Sequence, residues 1–200
     1  MSQTEPDWDP ERFLAAEAEE HRVAFESFVR TLRDPFTAVL SIWETCIRQG
    51  CKLLVFGNGG SAGNAEHIAA ELAIRYSADR DAIAAVALSA GSSTITAAAN
   101  DYGFDRIFSR QIEALGRPGD VAVGLSTSGS SPNVLKGLRE ARARGLRTTG
   151  FIGGKDSEMR HLCDAAIIVP ATITARIQEM HLLVTHMLCK ALERRLGLVD

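Results

Sequence analysis

The sequence predicts an α/β protein: a three-layer αβα sandwich around a doubly wound, five-stranded parallel sheet, preceded by N-terminal helices. Three observations carry this. The apolar run Leu53-Leu54-Val55-Phe56 stops at Gly57-Asn58-Gly59-Gly60-Ser61 and a helix-compatible stretch follows; a run that is apolar at every position suits a strand covered on both faces. From Lys52 onward, apolar runs of strand length alternate with helix-length segments, the pattern of βαβ units with right-handed crossovers. Another strand, Asp120 to Leu125, ends in the hydroxyl-rich loop Ser126-Thr127-Ser128-Gly129-Ser130-Ser131 and opens onto a further helix. Both turns belong at the carboxyl ends of strands, where such sheets bind ligands.

Taken in order, residues 1–8 read as a flexible tail and 9–200 as one domain that includes an N-terminal helical pair. Asp9-Pro10-Glu11 opens the first helix with a capping carboxylate, a proline in the first turn and an early acid. Its large apolar residues, Phe13, Leu14, Val23, Phe25, Phe28, Val29 and Leu32, are mixed with charges. Asp34-Pro35 predicts a break and a second helix through Trp43 and Ile47 to Gly50, which suits a left-handed C-terminal position. Strand 53–56 leads to helix 61–76, and Ile83 to Leu88 supplies the second strand. Ser93 to Ala99 and Phe104 to Leu115 read as helices before the third strand, 120–125. Helix Pro132 to Arg144, strand Leu146 to Ile152, a short helical piece near Glu158, strand Ala165 to Val169 and a long helix from Thr174 to Arg195 complete the chain.

Composition narrows the function classes. In these 200 residues, hydrophobic content of 46% and charged content of 24% are those of a soluble globular chain, and no apolar run approaches the roughly 18 residues of a spanning helix. The acidic start, Met1-Ser2-Gln3-Thr4-Glu5-Pro6-Asp7, is no secretory signal. A cytoplasmic protein that binds no membrane is expected. The net charge of −3 gives no support for non-specific nucleic-acid binding. Cys46, Cys51, Cys163 and Cys189 form no C-x-x-C pair, against both a thiolate zinc site and a redox motif.

Chemistry gathers in four stretches. The glycine turn permits close backbone approach to a bound group, and the following helix aims free N–H groups at the same spot. Ser131 and Pro132 are good first residues for a helix, so the Ser126–Ser131 loop is pinned to a second helix N-terminus and can wrap the oxygens of a phosphate monoester; the absence of G-x-x-x-x-G-K-[ST] disfavours a nucleotide P-loop. Steps of four put His67, Glu71 and Arg75 on one helix face, either as a surface ion-pair ladder or with His67 and Glu71 as ligands of one metal. The apolar C-terminal helix carries Gln178, His181 and His186; Gln178 and His186 lie about 80° apart around it, and periodicity does not choose between the two histidines.

Together, Gly57-Asn58-Gly59-Gly60-Ser61, His67-x-x-x-Glu71, Asn100-Asp101-Tyr102-Gly103-Phe104, Ser126-Thr127-Ser128-Gly129 and Arg176-Ile177-Gln178-Glu179 with His186 resemble the SIS (sugar isomerase) domain family. More narrowly, they resemble its phosphoheptose isomerases, which interconvert sedoheptulose 7-phosphate and glycero-manno-heptose 7-phosphate through an enediol for bacterial surface glycans. The resemblance covers nearly the whole chain. It implies sugar-phosphate contacts from Asn58, Gly59, Gly60, Ser61, Glu71, Asn100, Asp101, Ser126, Thr127, Ser128, Ser131 and Gln178. It also implies one zinc ion per subunit on His67, Glu71, Gln178 and His186, catalysis by Glu71 and His186, and a homotetramer. Some members carry Asp where this chain has Ala175. The alternative is a non-catalytic sugar-phosphate-binding or replication-initiator-binding relative; those lack the residues matching Glu71 and His186, and this chain has both.

Overall fold

In the computed structural model of the chain, residues 8–154 and 157–199 are described; apart from Trp8, the expected tail lies outside them. Five strands, β1 (Leu53–Gly57), β2 (Ala85–Ala87), β3 (Val121–Ser126), β4 (Arg147–Gly153) and β5 (Ala165–Val169), form one sheet in the order β2-β1-β3-β4-β5. Every pairing is parallel. The helices are α1 (Pro10–Arg48), α2 (Gly60–Ala73), α3 (Ser92–Tyr102), α4 (Ile107–Leu115), α5 (Pro132–Ala143), α6 (Glu158–Leu162) and α7 (Thr174–Arg195).

The pleat explains the three layers. Alternate residues of a strand point to opposite faces: Leu53 and Val55 join one core with Phe28, Trp43, Ile68 and Val184 from α1, α2 and α7. Leu54 and Phe56 join the other, with Phe108, Ile112, Val134 and Leu138 from α4 and α5. Strand β3 divides the same way, Val121 and Val123 on one side and Ala122 on the other. Buried Trp43 stacks on Phe151 at 6.2 Å and donates its indole N–H to Thr149 Oγ1 at 3.1 Å, so α1 is keyed to β4 by a polar contact as well as by area.

The expected helical pair is a single helix of 39 residues with Pro35 inside it. An interior proline costs about 3 kcal/mol, yet Phe28, Leu32, Val39, Trp43 and Cys46 form one buried stripe that continues across it. At about 1.5–3 kcal/mol for each large apolar side chain buried, keeping that stripe in register outweighs the lost bond. Start and stop follow the sequence: Asp9 Oδ1 accepts the Glu11 N–H at 2.9 Å, and Gly50 takes φ +71° beyond the last turn. Other boundaries moved as well. Phe104–Arg106 is a 3-10 turn preceding α4, β2 is shorter than its apolar run, and α2 ends at Ala73 rather than at 76.

Candidate active site

Strand order reverses between β1 and β3, so their loops leave in opposite directions and a crevice opens at their carboxyl ends. The N-termini of α2 and α5 flank it. Asn58, after β1, and Asn133, in the first turn of α5, face each other with two reciprocal amide hydrogen bonds of 2.8 Å. Asn133 also accepts the Val134 N–H at 2.9 Å and is 2% exposed. Its sequence context assigns it no role beyond the helix start that Ser131-Pro132 opens; its burial is the signal that points to it.

The serine loop is held by its own hydroxyls. Buried Ser126 Oγ lies 3.0 Å from Ser131 Oγ and 3.4 Å from Ser128 Oγ, and accepts the Gly129 N–H at 3.1 Å. Ser131 occupies the N-cap position of α5, but its hydroxyl, turned toward Ser126, makes no capping bond. The N-cap of α2 is Gly59, at φ +54° and without a side chain to cap with. Two helix starts whose cap residues leave amide groups to an outside acceptor thus meet at one crevice, an arrangement suited to an anion. Thr127 is half-buried with its carbonyl against Gly153, and Ser61, 3% exposed, braces the turn by donating its N–H to the Asn58 carbonyl at 2.9 Å.

The second cluster lies further along α2. His67 Nε2 is 2.9 Å from His186 Nε2 of α7 and 3.3 Å from Glu71 Oε1, and one donor atom of each residue lies within 4.8 Å of the others. Glu71 Oε2 is buried without a hydrogen-bond partner. Tyr76 lays its ring 5.7 Å from that of His186. Arg75 takes no part: it lies beyond the end of α2 and donates to the Ser77 carbonyl at 3.1 Å, so of the two readings of this helix face the ladder does not extend to Arg75. His181 resolves the ambiguity of α7 in the other direction. It is fully buried against Phe151, and burial pushes its pKa down to about 4.

Gln178 stands apart from this trio. Its amide packs over Gly60, where a Cβ would come within 2.5–2.7 Å of it. Gly60 precedes His67 by seven residues, about 10 Å of helix rise, so the Gln178 amide here faces the start of α2. Asn100 and Asp101 sit on the exposed end of α3, where the Asn100 amide donates to the Asp101 carboxylate at 2.8 Å. Within one chain they bond each other rather than the serine loop or the histidines. All four cysteines are free, and burial raises the thiol pKa of Cys46, Cys163 and Cys189 to about 12, which leaves these three protonated and unsuited to bind metal. No helix among the described residues is long and apolar enough to cross a membrane.

Comparison with known proteins identifies the family. The SIS domain profile matches residues 18–153. The phosphoheptose isomerase of Paramagnetospirillum magneticum is 51% identical over 181 residues, 90% of this chain and 94% of its own length. The phosphoheptose isomerase structure from Neisseria gonorrhoeae superposes with a TM-score of 0.87 at 36% identity, covering 93% of this chain and all of the other. That from Francisella tularensis gives 0.89 at 29% identity, covering 94% and 100%. The chain therefore belongs to the SIS domain family and, within it, to the phosphoheptose isomerases, a family of isomerases.

Proposed function

We propose that this chain interconverts sedoheptulose 7-phosphate and D-glycero-D-manno-heptose 7-phosphate. The observation that carries the reading is the separation of two clusters along α2: an anion seat at its N-terminus and, about 10 Å of helix rise further on, the trio of His67, Glu71 and His186. A long sugar with phosphate at one end and a carbonyl at the other fits that separation. Asn58, Gly59, Gly60, Ser126, Thr127, Ser128 and Ser131 take the phosphate end, with Ser61 bracing the turn.

Isomerisation removes a proton from C1 of the ketose while the C2 oxygen gains one, giving an enediol. The O1 proton then leaves as C2 is protonated, and the aldose results. Glu71 is the base at carbon, and His186 moves the proton between the two oxygens. Two imidazoles and a carboxylate with an unpartnered buried oxygen are a donor set that suits zinc with an open position. When bound, zinc supplies a Lewis acid that polarises the carbonyl. His67, Glu71 and His186 would hold it, and Gln178 would join by swinging its amide from Gly60. Gln178 in its present place, with Asn100 and Asp101, serves the sugar hydroxyls. Purified protein incubated with sedoheptulose 7-phosphate should give the aldose phosphate, faster with zinc than after chelation. Absence of product under both conditions would leave a binding module in its place.

The chain self-associates into a cytoplasmic homotetramer. Trp8, Phe13, Leu14, Val23, Phe25 and Val29 on or next to α1 are 38–69% exposed in the single chain. Burying large apolar side chains contributes up to about 1.5–3 kcal/mol each, against an association cost of roughly 4–15 kcal/mol. Light scattering at micromolar concentration should return four times the chain mass; a monomer would contradict the assignment.

A further inference from the structure

We propose that Arg80 and Glu193 are positioning residues that hold Glu71 and His67 of α2 in register with His186 of α7; the proposal rests on the isomerase reading of that trio. Both side chains are 1% exposed, and Arg80 Nε donates to Glu193 Oε1 at 2.8 Å. The guanidinium has other work. Its Nη2 donates to the Glu71 carbonyl at 2.7 Å, and its Nη1 to the carbonyls of Leu72 at 2.8 Å and Asp81 at 2.9 Å, with a longer bond of 3.4 Å to Ile74. The last carbonyls of a helix have no intrahelical partner and carry the negative end of its dipole. Helix α2 has no basic residue in its last turn. Arg80, returning from the loop beyond, supplies that cation and closes the turn that carries Glu71.

Glu193 anchors the device to the opposite wall. It stands on α7 seven residues after His186, and the same Oε1 accepts the Tyr76 N–H at 3.2 Å. The Tyr76 ring then packs 5.7 Å from the His186 ring. One ion pair therefore meets the backbone of Glu71, the helix of His186 and the aromatic wall beside that imidazole. A buried guanidinium must satisfy its remaining N–H groups, and Arg80 does so on the carbonyls of the turn that bears the proposed base.

Two variants test this. Arg80→Lys retains the buried charge pair, but a single ammonium does not reproduce a fork that spans the Glu71 and Leu72 carbonyls and the carboxylate. Arg80→Met/Glu193→Leu removes both charges together, a change buried pairs tolerate when volume is kept. Both should fold by circular dichroism. Supporting groups of this kind are worth about 10–100-fold in metal affinity or activity. Each variant should bind Co2+, followed by its visible absorption, at least about 10-fold more weakly than the parent, with kcat reduced by a similar factor. KM for sedoheptulose 7-phosphate should stay within about twofold, because the phosphate seat is at the other end of α2. Parental Co2+ affinity and kcat in either folded variant would overturn the proposal; should the double variant not fold, Arg80→Lys decides. If the parent binds Co2+ yet turns over no heptose phosphate, the isomerase reading falls, and the Co2+ affinities alone judge the positioning role.

Discussion

Glu71→Gln should lower kcat by at least about 100-fold, the lower end for loss of a general base, in a protein that still folds and assembles. The side chain is 19% exposed and no donor depends on its Oε2, so the isosteric amide breaks no existing bond of that oxygen and the structural cost should be modest. What disappears is the only carboxylate in the trio. Because the same group is a candidate metal ligand, kcat should be measured at saturating zinc, which separates loss of the ion from loss of the base. A defect that persists there belongs to proton transfer, and one that vanishes belongs to metal binding. Near-parental turnover without added zinc would remove Glu71 from catalysis altogether.

What the sequence shows of this fold is what depends on local pattern. The strand Ala165–Val169 and the helix Thr174–Arg195 have the bounds their periodicity predicts, because strongly apolar elements flanked by turn residues have one way to bury themselves. Pro35 misleads because local propensity competes there with a buried stripe whose other side, the sheet, is remote in sequence. The same asymmetry runs through the site. Glu71 and His67 are legible as an i,i+4 pair, and the serine loop as a strand end that starts a helix. His186 over His181 is decided only by which one meets His67, across 119 residues. Arg80 bears no motif at all; it becomes visible once its guanidinium is found among the carbonyls that end α2. Asn133 reads as an ordinary helix-start residue until the sheet order brings Asn58 opposite.

His186→Asn should also cost at least about 100-fold in kcat, and should weaken metal binding where Glu71→Gln leaves an imidazole pair intact. Asparagine is too short to bring a nitrogen to the position of His186 Nε2, 2.9 Å from His67 Nε2, and its amide does not exchange protons as an imidazole does near neutral pH. His186 is half-buried beside Tyr76, so the structural cost should be modest. A loss of about 1 kcal/mol would move the melting temperature by about 2–4 °C in a chain of this size. His181→Leu is the matched control on the same helix. Its ring is fully buried against Phe151, away from the trio, so an apolar replacement touches no residue of the centre, and turnover should be retained. The reverse pattern, with His181→Leu inactive and His186→Asn active, would move the imidazole chemistry from the trio into the core and end the case for His67, Glu71 and His186 as one centre.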